Sequence, residues 1–96
     1  MSSDTIGALE ALLAQTQVAH GVYEATALNG VYDEDWPRWY AAYAIEHGIA
    51  SLLGRTVAVN ELARFLATSW DEAQQEDPKP AEAWSAYTAR RLAAEL

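Results

Sequence analysis

The chain has 96 residues, with 14 Asp plus Glu against 6 Lys plus Arg and no cysteine. The missing thiols exclude disulfides, zinc-thiolate centres and thiol chemistry, and the acidity argues against nucleic-acid binding, whose affinity comes largely from cations set against phosphates. The length suits one helical domain over residues 1–96; much of its 51% hydrophobic content is alanine, so apolar volume must come from four Trp, five Tyr, one Phe and the aliphatic residues.

The first helix is expected from about Thr5 to Leu28, with Ser3 or Asp4 positioned to cap it. On a helical wheel Ile6, Leu9, Leu12, Leu13, Thr16, His20, Tyr23 and Ala27 share one side, the stripe of a core-facing helix. Gly21 falls inside this pattern and weakens it by about 1 kcal/mol relative to Ala. Asn29-Gly30 is a helix stop, because both residues tolerate the left-handed conformation. After the loop Val31–Asp35, three acids and Trp36-Pro37 form a helix start, and the second helix is expected from Trp36 to Leu53 with Gly54 as its C-cap. The third is expected from Thr56 or Asn60 to about Gln75, with the stripe Leu62, Phe65, Leu66, Ser69 and Ala73. Asp77-Pro78-Lys79-Pro80 reads as a rigid break. A last helix from about Ala81 carries Trp84, Tyr87, Arg91 and Leu92. The fold class implied is all-α: a small up-and-down bundle of about four helices whose N-terminal half is a helical hairpin.

The charge is uneven. No Lys or Arg occurs before Arg38, whereas Asp4, Glu10, Glu24, Asp33, Glu34 and Asp35 do. Most simply this is a solvated acidic surface; a sharper reading is a face that meets a basic partner or a cation. An acidic mimic of nucleic acid would need carboxylates along one extended face, and these cluster near the first hairpin. The longest apolar stretch, Ala41–Leu53, is interrupted by Glu46 and His47 and is too short for a bilayer. With no signal-peptide pattern at the N-terminus, a cytoplasmic location and no membrane partner are expected.

The second helix is the most informative segment. Trp36, Tyr40, Tyr43 and His47 fall on one side with Trp39 at its edge, while Ala41, Ile45, Ile49 and Leu52 fall on the other. One apolar stripe suffices for a surface helix, so this one is either central to the bundle or covered by another chain. The aromatic face is therefore core, a homodimer seam, or the wall of a ligand pocket.

Both histidines lie on apolar faces. In an antiparallel hairpin, Glu24 would come level with Tyr40, and His20 with Tyr43 to His47, so His20 and Glu24 could meet Tyr43 or His47. The plain reading is two hydrogen-bonded structural histidines. The alternatives are a Zn or Fe site and a general acid–base pocket. Adjacent Glu46-His47 does not supply the Glu-x-x-His of bundle di-iron proteins. The acidic loop 29–35 lacks the EF-hand pattern that calcium would need. Phosphate-loop, Gly-x-Ser-x-Gly and dinucleotide motifs are absent. A helix-turn-helix reading of Thr56–Leu66 would give an acidic recognition helix, which DNA disfavours.

The run Tyr32-Asp-Glu-Asp-Trp-Pro-Arg-Trp-Tyr-Ala-Ala-Tyr, followed by Glu46-His47-Gly48, resembles a motif of uncharacterised small acidic helical bacterial proteins. The resemblance implies a bacterial origin and carries over no functional residue.

Two functions are expected from the sequence. The first is a non-enzymatic helical module acting through self-association, as a homodimer, or through a protein partner, using the aromatic face. The second is a small-molecule or metal-binding protein, or a minor enzyme, with a polar pocket around His20, Glu24, Tyr43 and His47. Interface or ligand-binding candidates are His20, Tyr23, Glu24, Trp36, Trp39, Tyr40, Tyr43 and His47. No catalytic residue, resident metal or cofactor is assigned.

Overall fold

Ser3–Thr26 forms α1, the longest helix of the computed structural model, which describes residues 3–76 and 81–96. Its stripe behaves as the periodicity predicts: Leu9, Leu12, Leu13, Thr16 and His20 are buried, whereas Ala27 lies beyond the helix end and is exposed. Thr16 is satisfied by its own helix, donating to the Leu12 carbonyl at 2.7 Å. Asn29 (φ 53) and Gly30 (φ 79) are both left-handed, and the Gly30 amide donates back to the Glu24 carbonyl at 2.8 Å. The stop written in the sequence is thus the stop in the fold.

The second helix is shorter than the sequence pattern suggests. α2 spans Trp36–Glu46, and a separate turn of helix, α3, spans Ile49–Leu53. The break has a local cause. His47 donates from both its backbone amide (3.0 Å) and its ring Nδ1 (2.8 Å) to the Tyr43 carbonyl, so its side chain closes the last turn. Gly48 then takes φ 98, where a side chain is strained, and its amide donates to the Ile45 carbonyl at 3.2 Å. Gly54, the expected stop, is a second left-handed glycine (φ 74) that closes α3. The opposite apolar face keeps its role across the break: Ala41 and Ile49 are fully buried, and Ile45 and Leu52 pack against the core partly buried.

α4 spans Val59–Gln75 and buries Leu62, Leu66, Ser69 and Ala73, four members of the expected stripe. α5 spans Trp84–Glu95, opening three residues later than expected. The Asp77-Pro78-Lys79-Pro80 break and the proposed Ser3 cap lie outside the described residues and side chains. Ser69 and Thr88 share a 2.7 Å hydroxyl hydrogen bond that joins α4 to α5 inside the core.

Together the helices form a small all-α bundle, with no strand among the described residues. α1 packs mainly along α5 and α2 mainly along α4, while α1 also meets α2 and α3. Leu9, Leu13, Ile49, Leu62, Leu66 and Leu92 fill the centre. Among the described residues no helix is long and apolar enough to cross a membrane.

Two glycine substitutions separate backbone strain from helix propensity. An added Cβ meets nothing at either Gly21 or Gly48, so only conformation differs. Gly21→Ala, in mid-helix, should raise unfolding free energy by about 0.5–1 kcal/mol. Gly48→Ala should lower it by about 1–2 kcal/mol, because an L side chain there must occupy the left-handed region. Urea denaturation of both variants checks the pair; equal effects would contradict the assignment of Gly48 as the device that ends α2.

Candidate functional site: an aromatic cavity

Trp36 and Tyr40, on the aromatic face of α2, pack against other helices of their own chain. Trp36 packs edge-to-face against Tyr40 (centroids 5.0 Å), Trp70 of α4 (6.1 Å) and Trp84 of α5 (6.0 Å). Tyr40 meets Trp84 at 5.8 Å, and Trp70 meets Trp84 at 6.3 Å. Each of these contacts is edge-to-face, the arrangement that the ring quadrupole favours. The rings do not close completely. With Tyr32, Gln17, His20 and Glu24 they line a cavity of about 190 Å3. Tyr32 and Trp70 are exposed at its rim, being 68% and 41% accessible.

The polar edge of the cavity is built by the 27–35 loop folding back on α1. His20, only 5% exposed, has its Nε2 2.9 Å from Asp33 Oδ2. A carboxylate only accepts, so the proton of this bond sits on Nε2. Nδ1 faces Glu24 Oε1 at 3.7 Å. Glu24 Oε2 in turn accepts the Asp33 amide at 3.1 Å, and Asp33 Oδ1 accepts the Asp35 amide at 3.0 Å. One loop aspartate therefore orients the histidine and holds the Asp35 amide just before α2. The His20 ring also packs edge-on against Trp39 (5.0 Å) and Tyr40 (4.9 Å), so its tilt is fixed by packing as well as by hydrogen bonding.

Of the residues nominated from sequence, His20, Glu24, Trp36 and Tyr40 converge on the cavity. Tyr23 and Trp39 stack behind it at 5.3 Å and support His20. Tyr43 and His47 do not line it. Tyr43 stacks on Trp39 at 5.4 Å and accepts from Gln15 Nε2 at 2.8 Å, and His47 lies over Tyr43 at 3.9 Å as the exposed cap of α2. The level matching that paired His20 with Tyr43 and His47 thus differs from the structure, in which His20 sits beside Trp39 and Tyr40. The reason is the loop, part of which is spent running back along α1 before α2 begins.

Asp33, Trp70, Trp84, Gln17 and Tyr32 are additions that sequence reasoning did not select. Trp84 carries the buried side-chain donor, Nε1, that lacks a hydrogen-bond partner among the described residues. Such an orphan costs about 1–3 kcal/mol. No group of three or more His, Asp or Glu side chains suited to a metal ion occurs among the described residues.

Chemically, the Asp33–His20 pair has the orientation of an acid–base dyad, but the second nitrogen of the ring faces Glu24 rather than open space. Recognition through the ring walls is what this arrangement offers most directly. The chain matches no protein-family model, no curated protein and no solved structure.

Burial, and then the Glu24 charge, push the Tyr40 phenol above its ordinary value, which is about 10. Subtracting the alkaline absorbance titration of Tyr40→Phe from that of the parent chain should leave a component with a midpoint above 10. Glu24→Gln should move that component downwards. Since only the folded state holds this phenol neutral to higher pH, its contribution to stability is complete below about pH 10 and is lost as pH rises through the folded value. A Tyr40 component at or below 10 would contradict the burial described above.

Proposed function

We propose that this chain is a small-molecule-binding module whose site is the cavity walled by Trp36, Tyr40, Trp70 and Trp84, with binding rather than catalysis as its role. The observation that carries this reading is the cavity itself: rings from three helices surround about 190 Å3 beside a fixed His–carboxylate edge. An apolar cavity of about 150 Å3 admits benzene, so the space suits a ligand of that size or slightly larger. Apolar walls with a few convergent polar groups are the usual make-up of a ligand site.

Self-association through the aromatic face of α2 has less support. Trp36 and Tyr40 of that face already lie against His20, Trp70 and Trp84 of the same chain. What they leave open is a concavity, and a flat seam between two copies does not use one.

A thermal-shift panel tests the proposal. It should contain neutral aromatic, neutral aliphatic, cationic and anionic compounds of up to about ten non-hydrogen atoms. At 100 times its dissociation constant a ligand stabilises by about 2.7 kcal/mol, which for a domain of this size raises Tm by roughly 10 °C or more. At least one class should reach that rise, and Trp70→Ala, which removes a wall at the rim, should reduce it. A panel with no active compound would refute the proposal, and so would a rise undiminished in Trp70→Ala.

A further inference from the structure

We infer that the ligand is a compact organic cation, of the alkylammonium or quaternary ammonium class, held against the faces of the cavity rings; this inference rests on the proposed function and specifies its ligand. The walls are the first reason. Trp36 stands nearly perpendicular to Tyr40, Trp70 and Trp84, at 71°, 72° and 84°. Rings at such angles line one volume with differently oriented walls, and a cation within about 6 Å of a ring face is attracted to it, most strongly by Trp. Neutral apolar ligands gain from the same walls only by burial.

The charges around the cavity are the second reason. Its lining includes one carboxylate, Glu24, and no lysine or arginine. Behind it stands Asp33, bound to His20 at 2.9 Å. The polar edge thus sets two carboxylates, Glu24 and Asp33, against one imidazole. Both carboxylates belong to the segment before Arg38, which carries every one of its ionised side chains as an acid. A cleft lined by one sign of charge between low-dielectric walls concentrates ions of the opposite sign. The same field repels anions of similar size.

Size is the third. About 190 Å3 holds a trimethylammonium head with a short polar tail, and a tail directed to the rim would reach Tyr32 and Trp70, the exposed members of the lining. The fully substituted head needs no hydrogen-bond acceptors from the walls. The acceptors of the lining are Gln17, His20, Glu24 and the Tyr32 and Tyr40 hydroxyls.

The discriminating experiment compares three probes by tryptophan fluorescence and thermal shift: tetramethylammonium, choline, and 3,3-dimethyl-1-butanol, the neutral isostere of choline. Choline should bind roughly 2- to 30-fold tighter than the isostere, the range expected for a cation against aromatic faces. Tetramethylammonium should share the preference. Glu24→Gln, which retains an acceptor for the Asp33 amide, should reduce the choline preference and leave the isostere unchanged. Trp70→Ala should weaken choline more than the isostere. Circular dichroism confirms that each variant folds. Equal binding of choline and its isostere would overturn the cation assignment while leaving the cavity as a neutral-ligand site. Failure of all three probes, together with an inactive panel, would remove the site itself. A choline preference unchanged in both variants would place the cation elsewhere on the acidic surface and also overturn the inference.

Discussion

Trp36 is the constraint on which the rest of the bundle depends. It starts α2, and its ring packs on Trp70 from α4 and Trp84 from α5 while Tyr40, one turn on, reaches His20 of α1. Four helices are therefore referred to one aromatic cluster. Aliphatic packing fills the centre of the molecule, where Leu9, Leu13, Leu62, Leu66 and Leu92 are fully buried. Flexible leucines adapt to a gap, but planar rings in edge-to-face contact leave angular spaces between them. A cavity at the aromatic end of the bundle follows from that difference in shape.

The polar side of the cavity depends on the same constraint. Because Trp36 must enter the cluster, the preceding loop has to bring Asp33 beside His20. There, one carboxylate accepts from the imidazole and from the Asp35 amide, while its own amide donates to Glu24. A buried histidine alone on an apolar face would be expensive. Held this way it becomes part of a negative edge along an otherwise apolar space. The acidity of the N-terminal third, spread over several residues in sequence, is brought to bear on one site by two of them.

Legibility of the sequence varied with the range of the interaction. The stripes of α1 and α4 were readable because helical periodicity is local, and Asn29-Gly30 was readable because left-handed closure is a property of the residues themselves. Division of the second helix was not. Ile45, Ile49 and Leu52 continue the period straight through Gly48, and the signal for the break was His47, whose ring caps the Tyr43 carbonyl. At the site, His20 and Glu24 stood out by their spacing, as did Trp36 and Tyr40. Trp70 sits among polar residues, at Thr68-Ser69-Trp70-Asp71-Glu72, and Trp84 follows a proline-rich stretch. Neither segment carries a local mark of its destination, which only tertiary packing decides. Asp33 was obscured for the opposite reason: three successive acids before a helix have an adequate explanation as a favourable interaction with the helix dipole.

The space between these rings is proposed to receive a small cationic molecule. The four indole N–H signals provide a direct measurement, because Trp36, Trp70 and Trp84 line the cavity while Trp39 stacks behind it on Tyr23 and Tyr43. In a proton–nitrogen correlation spectrum titrated with choline, the indole signals of Trp36, Trp70 and Trp84 should show saturable shifts, with a smaller response at Trp39. Indole signals that stay fixed to saturating choline, or a response led by Trp39, would contradict it.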